Sequence, residues 1–326
     1  MKSLGWKRTL AIALLTGLGV WGCAAESPDS TEVSGGDRPR VATTYTMLAD
    51  LTEQIGCEAI DHRSLLDPGA DPHLYEPVPQ DSLAIESADL IFYNGYNLEP
   101  ALIRLIRGGA VRGTSVAVGE RVDPLAIAGE TEPDPHVWGD VENAIVMVNV
   151  IRDELSAIAP EHAESFQARA EILNAELARL DTWIEATIAT IPAEQRRLVT
   201  SHDAFQYYAN AYDIPVLGTL IGISTEEQPS ARTVARLVDA VREAGVPTIF
   251  AETTINPQLI ENVAAEADVQ LASPALYSDS IGAPGSEGDS YIAMMATNTR
   301  TIASGLGGQV EPFEISESLA TICDAS

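Results

Sequence analysis

The stretch EHAESFQARAEILNAELARLDTWIEATI, residues 161–188, decides the fold. Its apolar residues recur at helical spacing, and Ala, Leu and Glu dominate between them. The predicted helix is longer than an ordinary globular helix, so it reads as a rigid connection between two domains. Pro160 separates it from a second predicted helix over Val141–Ile158.

Both flanks of this connection alternate between strand and helix. Upstream, strands are expected at Val41–Tyr45, Ala59–Leu66, Leu90–Tyr93 and Ser115–Val118, with helices at Met47–Ile55, Asp81–Ala88 and Pro100–Arg107. Downstream, strands are expected at Leu198–Ser201, Val216–Leu220, Thr248–Glu252 and Gln270–Ala275. Helices are expected there over Ala204–Ala211, Ala231–Ala244, Pro257–Ala267 and Tyr291–Ala303. Such alternation predicts parallel sheets with helices on both faces. The expected fold class is α/β: two lobes, each a parallel-sheet βα domain, joined by a long rigid helix. The expected division is an N-terminal lobe over 41–158, a linking helix over 159–190 and a C-terminal lobe over 191–326.

The first forty residues read differently. Lys2, Lys7 and Arg8 precede an apolar run from Leu10 to Trp21, too short to span a bilayer and suited to an export signal over 1–22. The run ends at Val20-Trp21-Gly22-Cys23, which resembles a bacterial lipobox, so Cys23 is the expected lipidation site and membrane anchor. A plain secretory signal or an uncleaved anchor is the alternative. Residues 24–40 are polar, lack apolar periodicity and read as a flexible tether. Cys57 and Cys323 are the other thiols; an exported chain can oxidise them, but the sequence leaves their pairing open.

The chain of 326 residues carries 19 Lys and Arg against 48 Asp and Glu, a formal net charge of −29. Such a surface repels phosphate backbones, so no nucleic-acid partner is expected.

Five histidines occur: His62, His73, His136, His162 and His202. His73 and His136 each close an Asp-Pro-His triplet, at 71–73 and 134–136, and each proline restricts the backbone before its histidine. His202 follows the strand Leu198–Ser201, and ligands of open parallel sheets bind beyond the carboxyl ends of strands. His62 and His162 have no such context and read as ordinary solvated or hydrogen-bonding side chains.

The motifs resemble the zinc/manganese-specific class of ABC-transporter solute-binding proteins, the TroA-like superfamily, over nearly the whole chain after the tether. Asp71-Pro72-His73-Leu74-Tyr75-Glu76-Pro77 resembles the first ligand motif of that family, and Asp134-Pro135-His136-Val137-Trp138 the second. Thr200-Ser201-His202-Asp203-Ala204-Phe205 resembles the third, a position held by histidine in some members and glutamate in others. Leu276-Tyr277-Ser278-Asp279-Ser280, followed by Gly288–Met295, resembles the fourth. The resemblance implies a metal held by His73 and His136 from one lobe and His202 and Asp279 from the other, in the cleft between them. It further implies an exported, lipid-anchored or periplasmic monomer that delivers the metal to an ABC permease and its ATPase.

Three imidazoles and one carboxylate suit a near-tetrahedral Zn²⁺. A bidentate Asp279 would admit Mn²⁺ or Fe²⁺, and the histidine-rich loop of many zinc-specific members has no counterpart in the short acidic stretch Ile127–Asp134. Glu252, at the end of a predicted strand, is a candidate to orient a ligating histidine or to serve as a spare ligand; Glu76 and Asp203 are weaker candidates. Two rivals stand against the carrier: a surface adhesin with structural zinc, and a zinc hydrolase. The chain has no His-Glu-x-x-His, and four protein ligands leave no open position for water. No catalytic residue is therefore expected.

Overall fold

A computed structural model describes residues 38–109, 111–126 and 133–324. The export segment, Cys23, most of the tether and most of the acidic stretch before Asp134 lie outside the described residues.

The N-terminal half contains strands β1 (Arg40–Thr43), β2 (Asp61–Ser64), β3 (Leu90–Tyr93) and β4 (Thr114–Ala117) with helices α1 (Thr46–Gly56), α2 (Pro79–Ser87) and α3 (Pro100–Gly108) between them. The strands form one parallel sheet in the order β2-β1-β3-β4. Its central strands are mostly apolar because both faces are covered: Val41, Ala42, Leu90, Ile91 and Phe92 are all buried.

Helix α4 (Val141–Ile158) starts at Asp140, whose side chain accepts a hydrogen bond from the amide of Glu142. Helix α5 (Ala163–Ala189) is the expected long helix, and Phe166, Ala170, Leu173, Leu177, Leu180, Ile184 and Ile188 form its buried stripe. That stripe packs against α4 and against α9 (Tyr291–Gly305).

The C-terminal half contains β5 (Leu198–His202), α6 (Gln206–Ala211), β6 (Val216–Ile221), α7 (Ala231–Ala244), β7 (Thr248–Ile249), α8 (Gln258–Ala267) and β8 (Gln270–Leu271). Strand β5 pairs with β6 and β7 with β8, all parallel. The amide of Phe250 donates to Val199 O at 2.9 Å and joins the two pairs. The last two strands are shorter than the sequence suggests. Pro274 has no N–H to offer, and the ladder resumes only as a bridge between Glu252 and Leu276.

The two halves share a core. Leu48, Leu51 and Ile55 of α1, Val148 and Ile151 of α4, Leu173 and Leu177 of α5, and Ile292 and Ile302 of α9 belong to one apolar cluster. After α9 the chain runs back along α5, where Trp183 Nε1 donates to Glu311 O at 2.9 Å. The short helix α10 (Glu317–Ala320) then leads to Cys323, which forms a disulfide with Cys57 just beyond α1. The pairing left open by the sequence is thus made, across 266 residues of chain.

Candidate metal centre

His73 sits in the loop between β2 and α2. The carboxylate of Asp71 accepts the amide hydrogen of His73 at 2.9 Å, closing a turn around Pro72. His136 sits in the loop before α4 in the same kind of turn, with its amide donating to Asp134 Oδ1 at 2.9 Å. His202 is the last residue of β5, a strand buried along its whole length. Asp279 lies in the loop that follows the Glu252–Leu276 bridge.

These four side chains converge. One donor atom from each lies within 4.8 Å of all the others. His136 Nε2 is 3.3 Å from His73 Nε2 and 3.4 Å from Asp279 Oδ1; His202 Nε2 is 3.1 Å from Asp279 Oδ2. His73 Nε2 stands 3.9 Å from Asp279 Oδ2. A tetrahedral zinc with bonds of about 2.05 Å has ligand–ligand edges of about 3.3 Å. The spacing therefore matches a cage for one ion. His136, His202 and Asp279 are wholly buried and His73 is 4% exposed.

Polar satisfaction points the same way. His202 Nε2 and both carboxylate oxygens of Asp279 are buried without a well-formed hydrogen bond, and their nearest approach to one another is a 3.1 Å ionic contact. Buried orphan atoms are costly, and a cation at their focus satisfies all three. The electrostatics are coupled. Burial lowers the pKa of His73 to about 3, which keeps its imidazole neutral and available as a donor. Burial also disfavours charge on His202, but Asp279 and Glu252 outweigh it and raise that pKa well above 6.5. For Asp279 burial acts upward, and the three histidines, His202 foremost, overcome it and hold the carboxyl below its usual range.

Glu252 does not point into the cluster. Its Oε1 accepts the amide hydrogen of His202 at 2.8 Å and its Oε2 pairs with His202 Nδ1. With Nδ1 engaged, Nε2 is the nitrogen that faces the other three donors. Asp203 is held by Gln206 Nε2 at 2.7 Å beside the cluster, and Glu76 is exposed. His62 bonds Thr43 Oγ1 at 3.0 Å, and the ring of half-buried His162 lies 6.0 Å from that of Phe166; neither joins the cluster.

Among the groups that hold the Asp279 loop, Trp138, Ser278 and Ser280 lie within the motifs, whereas Thr46 and Gly69 had no sequence signature. Trp138 Nε1 donates to Ser278 O at 3.0 Å, and Thr46 Oγ1 accepts from the amide of Ile281 at 3.0 Å. Ser280 Oγ accepts from the amide of Gly69 at 2.7 Å. Residues of the N-terminal half thus fix the loop carrying a donor of the C-terminal half.

Residues 41–305 match the family model described as zinc-uptake complex component A, periplasmic. The manganese-binding lipoprotein MntA of Halalkalibacterium halodurans is 35% identical over 87% of this chain and 93% of its own length. The manganese ABC transporter substrate-binding lipoprotein PsaA of Streptococcus pneumoniae is 33% identical over 94% of this chain and 99% of its own. Among solved structures, the periplasmic zinc-binding protein TroA of Treponema pallidum superposes with a TM-score of 0.79 at 32% identity, over 82% of this chain and 99% of that one.

Proposed function

The chain belongs to the family of periplasmic zinc-uptake complex component A, the solute-binding parts of metal ABC transporters, and from that premise we propose that His73, His136, His202 and Asp279 capture its cargo. The family is one of binding components, not of enzymes. The observation that carries the proposal is the set of four buried donors spaced like the corners of one coordination shell. Glu252 acts from behind His202 and is not itself a ligand. The captured ion passes to a permease driven by an ATPase, and Cys23 anchors the carrier to the membrane; the lipoprotein names of MntA and PsaA support that anchor.

Three imidazole nitrogens and one carboxylate favour Zn²⁺ as cargo. Mn²⁺ is the second reading, with Fe²⁺ after it. Manganese is favoured by the names of two relatives, and by the two unpartnered oxygens of Asp279, which can chelate together and raise the coordination number.

The deciding experiment is elemental analysis of protein purified without added metal, followed by competition titration of Zn²⁺ against Mn²⁺. One ion per chain, lost when any one of His73, His136 or His202 becomes alanine, is the expected outcome. Unchanged binding in one of these variants removes that residue from the ligand set.

A further inference from the structure

The two Asp-Pro-His triplets are put to different uses. Asp134 directs Oδ1 at both the amide and the ring Nδ1 of its own histidine, at 2.9 and 2.7 Å. Asp71 gives Oδ1 to the amide of His73 but turns Oδ2 across the molecule, where it accepts a hydrogen bond from Thr225 Oγ1 at 2.6 Å. Thr225 lies in the segment between β6 and α7 and is only 6% exposed.

The location of this bond gives it a consequence. His73 lines a cavity of about 530 Å³ that also touches Tyr96, Asp203, Ser224 and Glu227, whereas the other three donors are fully shielded. The C-terminal rim of that cavity is the segment from Gly222 to Glu227. Asp71 and Thr225 themselves line a second cavity, of about 200 Å³. The Asp71–Thr225 bond therefore ties the His73 loop to the rim of the cavity through which His73 is reached. The halves are also joined by their shared core, by the buried bonds around Ser278–Ile281 and by Tyr207 Oη, which donates to Asp134 O at 3.1 Å; none of these holds the His73 loop to the Gly222–Glu227 segment.

We propose that Thr225, acting through Asp71 on His73, is a positioning residue that sets how fast the bound ion leaves. The inference rests on the carrier reading above. Separating the rim from the His73 loop requires breaking this bond, and Asp71 anchors the His73 backbone directly, so movement of one carries the other. A hydrogen bond to a carboxylate is strong enough to slow such an opening by about tenfold.

The test uses the full chain loaded with zinc and mixed rapidly with excess chromogenic chelator. Thr225→Val keeps the shape and removes the hydroxyl; Thr225→Ala removes it with no risk of overpacking; Thr225→Ser keeps it. The first two are expected to release zinc about tenfold faster than the native chain, and Thr225→Ser within about twofold of it. Release at the native rate by the valine and alanine variants overturns the inference, as does a serine variant as fast as alanine, which would indicate packing alone. A native chain that retains no ion overturns the carrier reading as well; native retention with unaltered variant rates overturns only the role of Thr225.

Discussion

Asp134 Oδ1 accepts two hydrogen bonds from one residue, the amide and the ring Nδ1 of His136, at 2.9 and 2.7 Å. A single oxygen thereby fixes the backbone turn, the ring orientation and the tautomer, leaving Nε2 to face His73 and Asp279. Glu252 treats His202 in the same manner, with one oxygen on the amide and the other on Nδ1. Two donors of the cage are therefore aimed by buried carboxylates, which lowers the entropy cost of binding.

Replacing Asp134 with Ala removes the one oxygen to which both the amide and Nδ1 of His136 donate. Zinc affinity should fall by about 10- to 100-fold, the usual cost of losing a group that orients a ligand. Competition titration reads this directly, and native affinity in Asp134→Ala would contradict the orienting role.

Changing His202 to Glu should shift preference toward Mn²⁺, because oxygen donors suit the harder ion. The structure adds a condition. Glu252 then faces a second buried carboxylate in place of a ring N–H, so the single variant should bind both metals about tenfold more weakly than the native chain. The double variant His202→Glu with Glu252→Gln should regain affinity and show the altered preference. An unaltered zinc-to-manganese ratio in the double variant would count against position 202 as a determinant of selectivity.

Glu99 offers a pH prediction away from the cage. Its Oε1 accepts from Thr44 Oγ1 at 2.8 Å and from the amide of Asn94 at 2.7 Å, while its Oε2 is buried without a partner. Burial raises its pKa from 4.5 to about 7, against the lowering effect of those bonds. The folded state therefore holds a proton that the unfolded chain releases near pH 4.5. Its contribution is fully present below that pH and is lost as pH rises through about 7. Glu99→Gln is neutral at every pH. It should gain on the order of 2 kcal/mol relative to the native chain between pH 5 and pH 8. Urea unfolding of metal-free protein at both values measures this, and an equal difference at the two would rule it out.

Much of the architecture was legible because it rests on local pattern. The apolar stripe of residues 161–188 became α5, and the helices expected at Val141–Ile158 and Ala231–Ala244 have those limits in the structure. The strands after Thr248 were less legible, since the length of an edge ladder depends on where Pro274 falls opposite its neighbour. His73, His136, His202 and Asp279 stood out through their motifs, and the structure brings all four together.

The sequence by itself determined the alternation of elements, the long connecting helix and four residues of the right chemistry, because period and residue type are local properties of a chain. Only the tertiary structure decided that Cys57 meets Cys323, that Glu252 backs His202, and that Asp71 reaches Thr225 while Asp134 attends its own histidine. Three of those four contacts join residues 50, 154 and 266 positions apart, and the fourth is what Asp134 does when no such distant partner claims it. They follow from how helices and sheets pack, which identical local triplets cannot encode.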